Sequence, residues 1–162
     1  MPARKTVKAP KQSREFDLQS FLESAGISRT IITYPKGAAL FSQGDPANQV
    51  FYLQHGSVKL SVISKTGKEA IVAMLNAGDF FGEGCLAGQP RLMATATAIG
   101  ETTALVVEKE HMMDMLQREP SLSGRFIVHM LARNIRIEED LVDQLFNSSE
   151  KRLARVLLLM AR

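Results

Sequence analysis

From Arg29 to about Val107 the apolar residues come in short β-branched runs, each closed by turn residues. The runs are Thr30–Tyr34, Val50–Leu53, Ser57–Ile63, Glu69–Leu75, Ala94–Ala98 and Thr102–Val107. The breaks are Pro35-Lys36-Gly37, Gln43-Gly44-Asp45-Pro46, His55-Gly56, Lys65-Thr66-Gly67-Lys68 and Asn76-Ala77-Gly78-Asp79. Many short strands at this spacing predict an antiparallel barrel or jelly roll. Past Val107 the period lengthens. Lys109 to Glu119 reads as a short helix stopped by Pro120, and a long helix is expected from about Ser121. Phe126, Met130, Ile137, Leu141 and Leu145 form its main apolar stripe, widened by Ile127, Leu131, Ile135, Val142 and Phe146. That arc is wider than one packing partner requires, so the helix is expected to meet both its own barrel and a second copy of the chain.

Two stretches flank this pattern. Phe16 to Gly26 has an apolar stripe of Leu18, Phe21, Leu22 and Ala25 and reads as a short amphipathic helix. Asn147-Ser148-Ser149-Glu150 interrupts the long helix and can cap a new one, Lys151 to Arg162. Leu153, Val156, Leu157 and Met160 would need a partner that the sequence does not obviously supply, so this last element reads as truncated. The expected organisation is a basic arm over 1–14, a β-roll with short helices over 15–120, a long dimerisation helix over 121–146, and over 147–162 the start of a further domain.

Composition narrows the functions. The chain has 162 residues, 45% of them hydrophobic, enough for one domain with a real core and an appended element. Aromatic residues make up only 6%, so a base-stacking platform for nucleic acid has little material. The net charge of +3 is gathered largely at the two ends. One cysteine, Cys85, excludes an internal disulfide and any Cys-rich metal site, and a reducing cytoplasm is the expected compartment. No apolar run reaches the roughly 18–20 residues needed to cross a bilayer. His55, His111 and His129 show no ligand spacing, so no metal site is expected, and no nucleophile–base pair that would mark an enzyme is visible.

The one segment with distinctive chemistry is Asp79-Phe80-Phe81-Gly82-Glu83-Gly84-Cys85-Leu86-Ala87-Gly88-Gln89-Pro90-Arg91. Its glycines permit turns in which several amide N–H groups converge on an anion. Arg91 brings a planar fork that matches phosphate, and Glu83 can accept from hydroxyls. An anion cradle beside a carboxylate suits a sugar phosphate.

The sequence resembles the effector region of the CRP/FNR transcription regulators. The resemblance rests on Phe41-Ser42-Gln43-Gly44-Asp45, Val50-Phe51-Tyr52-Leu53 and Gly56-Ser57-Val58, then Gly78-Asp79-Phe80-Phe81-Gly82-Glu83, then Pro90-Arg91 followed by Ala94-Thr95-Ala96-Thr97-Ala98. It implies a mainly β fold: an antiparallel double-stranded β-helix of the cyclic-nucleotide-binding kind, followed by a long dimerisation helix. It further implies cyclic AMP or cyclic GMP as ligand. Gly82 and Glu83 would lie on the ribose side and Arg91 on the cyclic phosphate, helped by amides around Gly84, Cys85 and Leu86. The homodimer would form through Phe126, Met130, Ile137, Leu141 and Leu145. DNA would be read only by a helix-turn-helix domain that these residues lack.

Two departures qualify the ligand. The family's arginine usually stands two residues before the alanine–threonine pair; counting back from Ala94-Thr95, that place holds Leu92, and Arg91 comes one residue early. Strand side chains alternate, so an inward Leu92 turns Arg91 outward unless a bulge restores it. In the long helix, Ile137 and Glu138 stand where small hydroxyl residues would read the base; Glu138 could accept from a base amino group or simply be a solvated helix charge. The alternative reading is therefore a roll that binds no cyclic nucleotide and serves as a dimerisation scaffold or senses another effector. A cupin-type enzyme on a similar jelly roll lacks the clustered metal ligands it would need.

Overall fold

The computed structural model describes residues 29–160; within 147–160 it describes the side chains of Lys151 and Leu157 only. The expected basic arm and the Phe16–Gly26 helix lie outside the described residues, as do the Leu153, Val156 and Met160 side chains. The described chain falls into two compact units, divided between His111 and Met112.

The first unit is the jelly roll. Eight strands make two four-stranded antiparallel sheets: β1 (Thr30–Tyr34), β2 (Ala39–Phe41), β3 (Gln49–His55), β4 (Ser57–Ile63), β5 (Glu69–Asn76), β6 (Phe80–Phe81), β7 (Thr95–Ala98) and β8 (Thr102–Glu108). One sheet has the order β1-β8-β3-β6 and the other β2-β7-β4-β5. The six runs legible in the sequence are all strands. β2 and β6 are additional. They have three and two residues, too few for alternation to show in the pattern.

The inward positions follow the period of two. In β3, Phe51 and Leu53 are buried; in β4, Val58 and Leu60; in β7, Ala96. They meet Phe81 and Val106 in one core. Phe41, Phe51 and Phe81 form a three-ring cluster, with centroids 5.2 Å apart for Phe41–Phe51 and Phe51–Phe81 and 5.9 Å for Phe41–Phe81. Such offset aromatic contacts add about 1 kcal/mol each beyond their buried area. Gln43 staples the roll's outer edge: its side-chain oxygen accepts from the Ile63 amide at 2.8 Å and its own amide donates to Thr95 Oγ1 at 2.9 Å.

Two helices complete the chain, α1 (Lys109–Arg118) and α2 (Pro120–Met160). The second unit therefore consists of the end of α1 and all of α2. The expected break at Asn147–Glu150 is absent: α2 runs through it without interruption. Good N-cap residues start a helix only where the preceding backbone has left helical geometry, and here it has not. At 1.5 Å per residue, a helix of 41 residues reaches roughly 60 Å.

Candidate functional site

The cassette begins where β6 ends. Gly82 has a φ of 74°, and a Cβ there would come within 3.0 Å of the Gln49 carbonyl oxygen and 3.1 Å of the Phe51 ring. Only glycine fits both the dihedral and the space. The chain then makes a single turn of 3-10 helix, Glu83–Ala87, closed by Gly88. Gly84 is needed for a different reason: the Gln89 carboxamide oxygen occupies the place its Cβ would take. The convergent glycines expected from the sequence thus bring the Gly82–Leu86 backbone into one tight turn against β3.

The side chains of this turn differ in their surroundings. Cys85 is fully buried, and its Sγ donates to the Gln49 carbonyl at 3.7 Å. Burial pushes its thiol above the ordinary range, against a smaller downward pull from Lys109. Glu83 and Leu86 are half-buried. The cassette thus carries one half-buried carboxylate at its start and a closed-off thiol.

Arg91 does not complete it. The Pro90–Leu92 segment pairs with the turn after β2: the Ala47 amide donates to the Pro90 carbonyl at 3.0 Å, the Leu92 amide to the Asp45 carbonyl at 2.9 Å, and the Gly44 amide to the Leu92 carbonyl at 2.8 Å. This ladder fixes the side-chain directions. Arg91 is exposed, and its Nη1 donates to the Gly44 carbonyl oxygen at 2.9 Å. Leu92 is only 8% exposed and lines a cavity of about 240 Å³ with Leu40, Phe41 and Phe51. Of the two directions the sequence left open, this is the one with leucine inside. The guanidinium is engaged by a backbone oxygen, and a cyclic phosphate would have to draw it away. Gly44 was legible as a turn and motif glycine and Gln89 as a member of the glycine-rich segment, but their contacts with Arg91 and Gly84 carry no periodic signal.

In α2, Phe126 and Met130 are half-buried, while Ile137, Leu141 and Leu145 are 51%, 54% and 58% exposed. Ile127, Leu131, Ile135, Val142 and Phe146 are exposed as well. Glu138 is exposed and accepts from Asn134 Nδ2 at 2.7 Å, one helical turn away. Among the described residues no group of three or more His, Cys, Asp or Glu is placed to hold a metal ion, and no helix is long and apolar enough to cross a membrane.

The described chain is thus a two-sheet roll with a glycine-bounded cassette after its sixth strand, followed in sequence by a long helix. Residues 31–119 match the cyclic nucleotide-binding domain, and the chain belongs to that family. Its relatives are CRP-like regulators. It is 31% identical over 132 residues to the cyclic AMP receptor protein of Thermus thermophilus, covering 80% of this chain and 60% of that protein. It is 25% identical over 132 residues to a CRP-like cAMP-activated global transcriptional regulator of Mycobacterium tuberculosis, covering 81% and 58%. The crystal structure of the Thermus thermophilus catabolite activator protein superposes with a TM-score of 0.63 at 27% identity, over 80% of this chain and 59% of that one. The chain thus spans about 60% of the length of the curated relatives it matches.

Proposed function

We propose that this chain is the effector-sensing and dimerisation region of a CRP/FNR-type transcription regulator. The observation that carries this reading is α2: directly after a cyclic-nucleotide-type roll, its Ile137, Leu141 and Leu145 stand more than half exposed on one face. An apolar seam at helical spacing is what a second copy of the same helix covers in a two-stranded coiled coil. On this reading residues 15–120 sense the effector, 121–146 pair with their twin, and 147–162 lead toward a helix-turn-helix domain outside these residues. The protein works in the cytoplasm, as a binding module without catalytic activity. Ligand and DNA are coupled through two arrangements of the paired helices, of which the effector favours one.

Two ligand readings follow from the same roll. In the first, a cyclic nucleotide lies on the Gly82–Leu86 turn, Glu83 takes the ribose hydroxyl, and Arg91 leaves the Gly44 carbonyl for the phosphate. Glu138 of the long helix would accept from the base. In the second, the roll binds no cyclic nucleotide. The Arg91–Gly44 bond and the buried Leu92 favour the second. A guanidinium already hydrogen-bonded must be released, and the place two residues before Ala94-Thr95 holds a buried isobutyl group instead of a charge. Isothermal calorimetry with cyclic AMP and cyclic GMP at high micromolar concentration separates them. No heat with either nucleotide supports the second reading. Saturable heat that Arg91→Ala abolishes establishes the first.

A further inference from the structure

A cleft unrelated to the cassette opens between the two sheets at their β1–β2 end. Two adjoining cavities, of about 240 and 200 Å³, share Leu40, Gln49 and Phe51 as a common wall. The first continues to Phe41 and Leu92, the second to Ile32 and Val106. None of the residues from Gly82 to Arg91 lines either cavity. Each is large enough to admit a single ring, and both open to solvent. The Phe41 and Phe51 rings, 5.2 Å apart, offer such a ring tilted aromatic contact.

The polar groups of the cleft have one sign. Asp45 lines the first cavity and Glu108 the second, and none of the described residues lining either is basic. Gln49 is the pivot: its Nε2 donates to Glu108 Oε1 at 2.7 Å, which holds this exposed carboxylate at the rim of the cleft. Asp45, also exposed, uses Oδ2 to accept from the Ser42 amide at 2.9 Å. The Tyr34 hydroxyl supplies a further polar contact, its phenol pushed up by burial. Placed polar groups beside an aromatic wall are what fixes the orientation of a small molecule in a site.

We propose that this cleft is a second ligand site, which takes a small organic ammonium: a ring-sized apolar body against Leu40 and Phe51, with its cationic end on Glu108. None of the residues from Gly82 to Arg91 contributes to its lining. Its charge preference is opposite to that of a phosphate cradle.

The test uses two probes of matched shape and opposite charge, benzylammonium and benzoate, titrated into the isotopically labelled chain and followed by NMR. Attraction replaces repulsion beside a carboxylate, so benzylammonium should bind roughly tenfold tighter than benzoate. Its saturable shifts should concentrate on Ile32, Tyr34, Leu40 and Phe51. Leu40→Trp, which fills the cleft, should remove the shifts while the remaining amide spectrum reports a folded roll. Glu108→Gln should reduce the preference for the cation whether or not Leu40→Trp folds. Equal shifts from both probes would overturn the proposal, as would shifts centred on Gly82–Gly88 or a cation preference unchanged in Glu108→Gln.

Discussion

Leu92 and Cys85 carry the most weight at the scale of single residues. Leu92 sits in the apolar wall beside Phe41 and Phe51. Leu92→Ala is expected to cost about 3 kcal/mol in urea unfolding with an unchanged m-value, the usual range for a buried leucine. A cost below about 1 kcal/mol would mean that the side chain is not buried in solution. Cys85 is closed off and its thiol pushed upward. The thiol should therefore react with iodoacetamide at pH 8 only as fast as the roll opens, and at the full rate of a free thiol once urea unfolds it. The raised value also sets a direction for stability. In alkali the unfolded thiol ionises first, so this contribution is complete below the ordinary thiol range, roughly pH 8.5, and is lost as pH climbs above it. The cassette glycines were legible because an unusual density of glycine announces an unusual backbone. The direction of Arg91 was not, because it is fixed by the ladder between Pro90–Leu92 and Gly44–Ala47, forty-odd residues apart in sequence.

Elements follow the period of their apolar residues wherever they are long enough to show one. The strands from β3 to β5 and β8 were readable because seven or eight residues suffice for alternation with turn glycines at their ends. β2 and β6 were not, since their pairing with β7 and β3 is decided by tertiary contact alone. The unbroken α2 is the opposite case. Asn147-Ser148-Ser149-Glu150 has the local chemistry of a cap, yet the helix passes through. Local preference of a few tenths to about 1 kcal/mol per residue gives way to the propagation of an established helix. Backbone chemical shifts from Asn147 to Glu150 are expected to be helical and continuous with those of Val142 to Phe146. Random-coil values over those four residues would restore the break, and with it two separate helices.

The whole molecule joins an apolar-cored roll, whose cassette has its charge turned aside, to a helix whose apolar arc is far from satisfied among the described residues. The family was legible in the order of short motifs along the chain, and residues 31–119 match it as the cyclic nucleotide-binding domain. The effector was not legible. Its identity depends on whether Arg91 keeps the Gly44 carbonyl or gives it up, a competition of one hydrogen bond against a charged ligand. The central claim is that α2 pairs with its twin. Sedimentation equilibrium on the wild-type chain and on Leu141→Glu tests it most directly. A dimer is expected at micromolar concentration, and Leu141→Glu should convert it to a monomer while circular dichroism shows the roll still folded. A wild-type chain that remains monomeric at high micromolar concentration, or a dimer indifferent to a charge at Leu141, would contradict it.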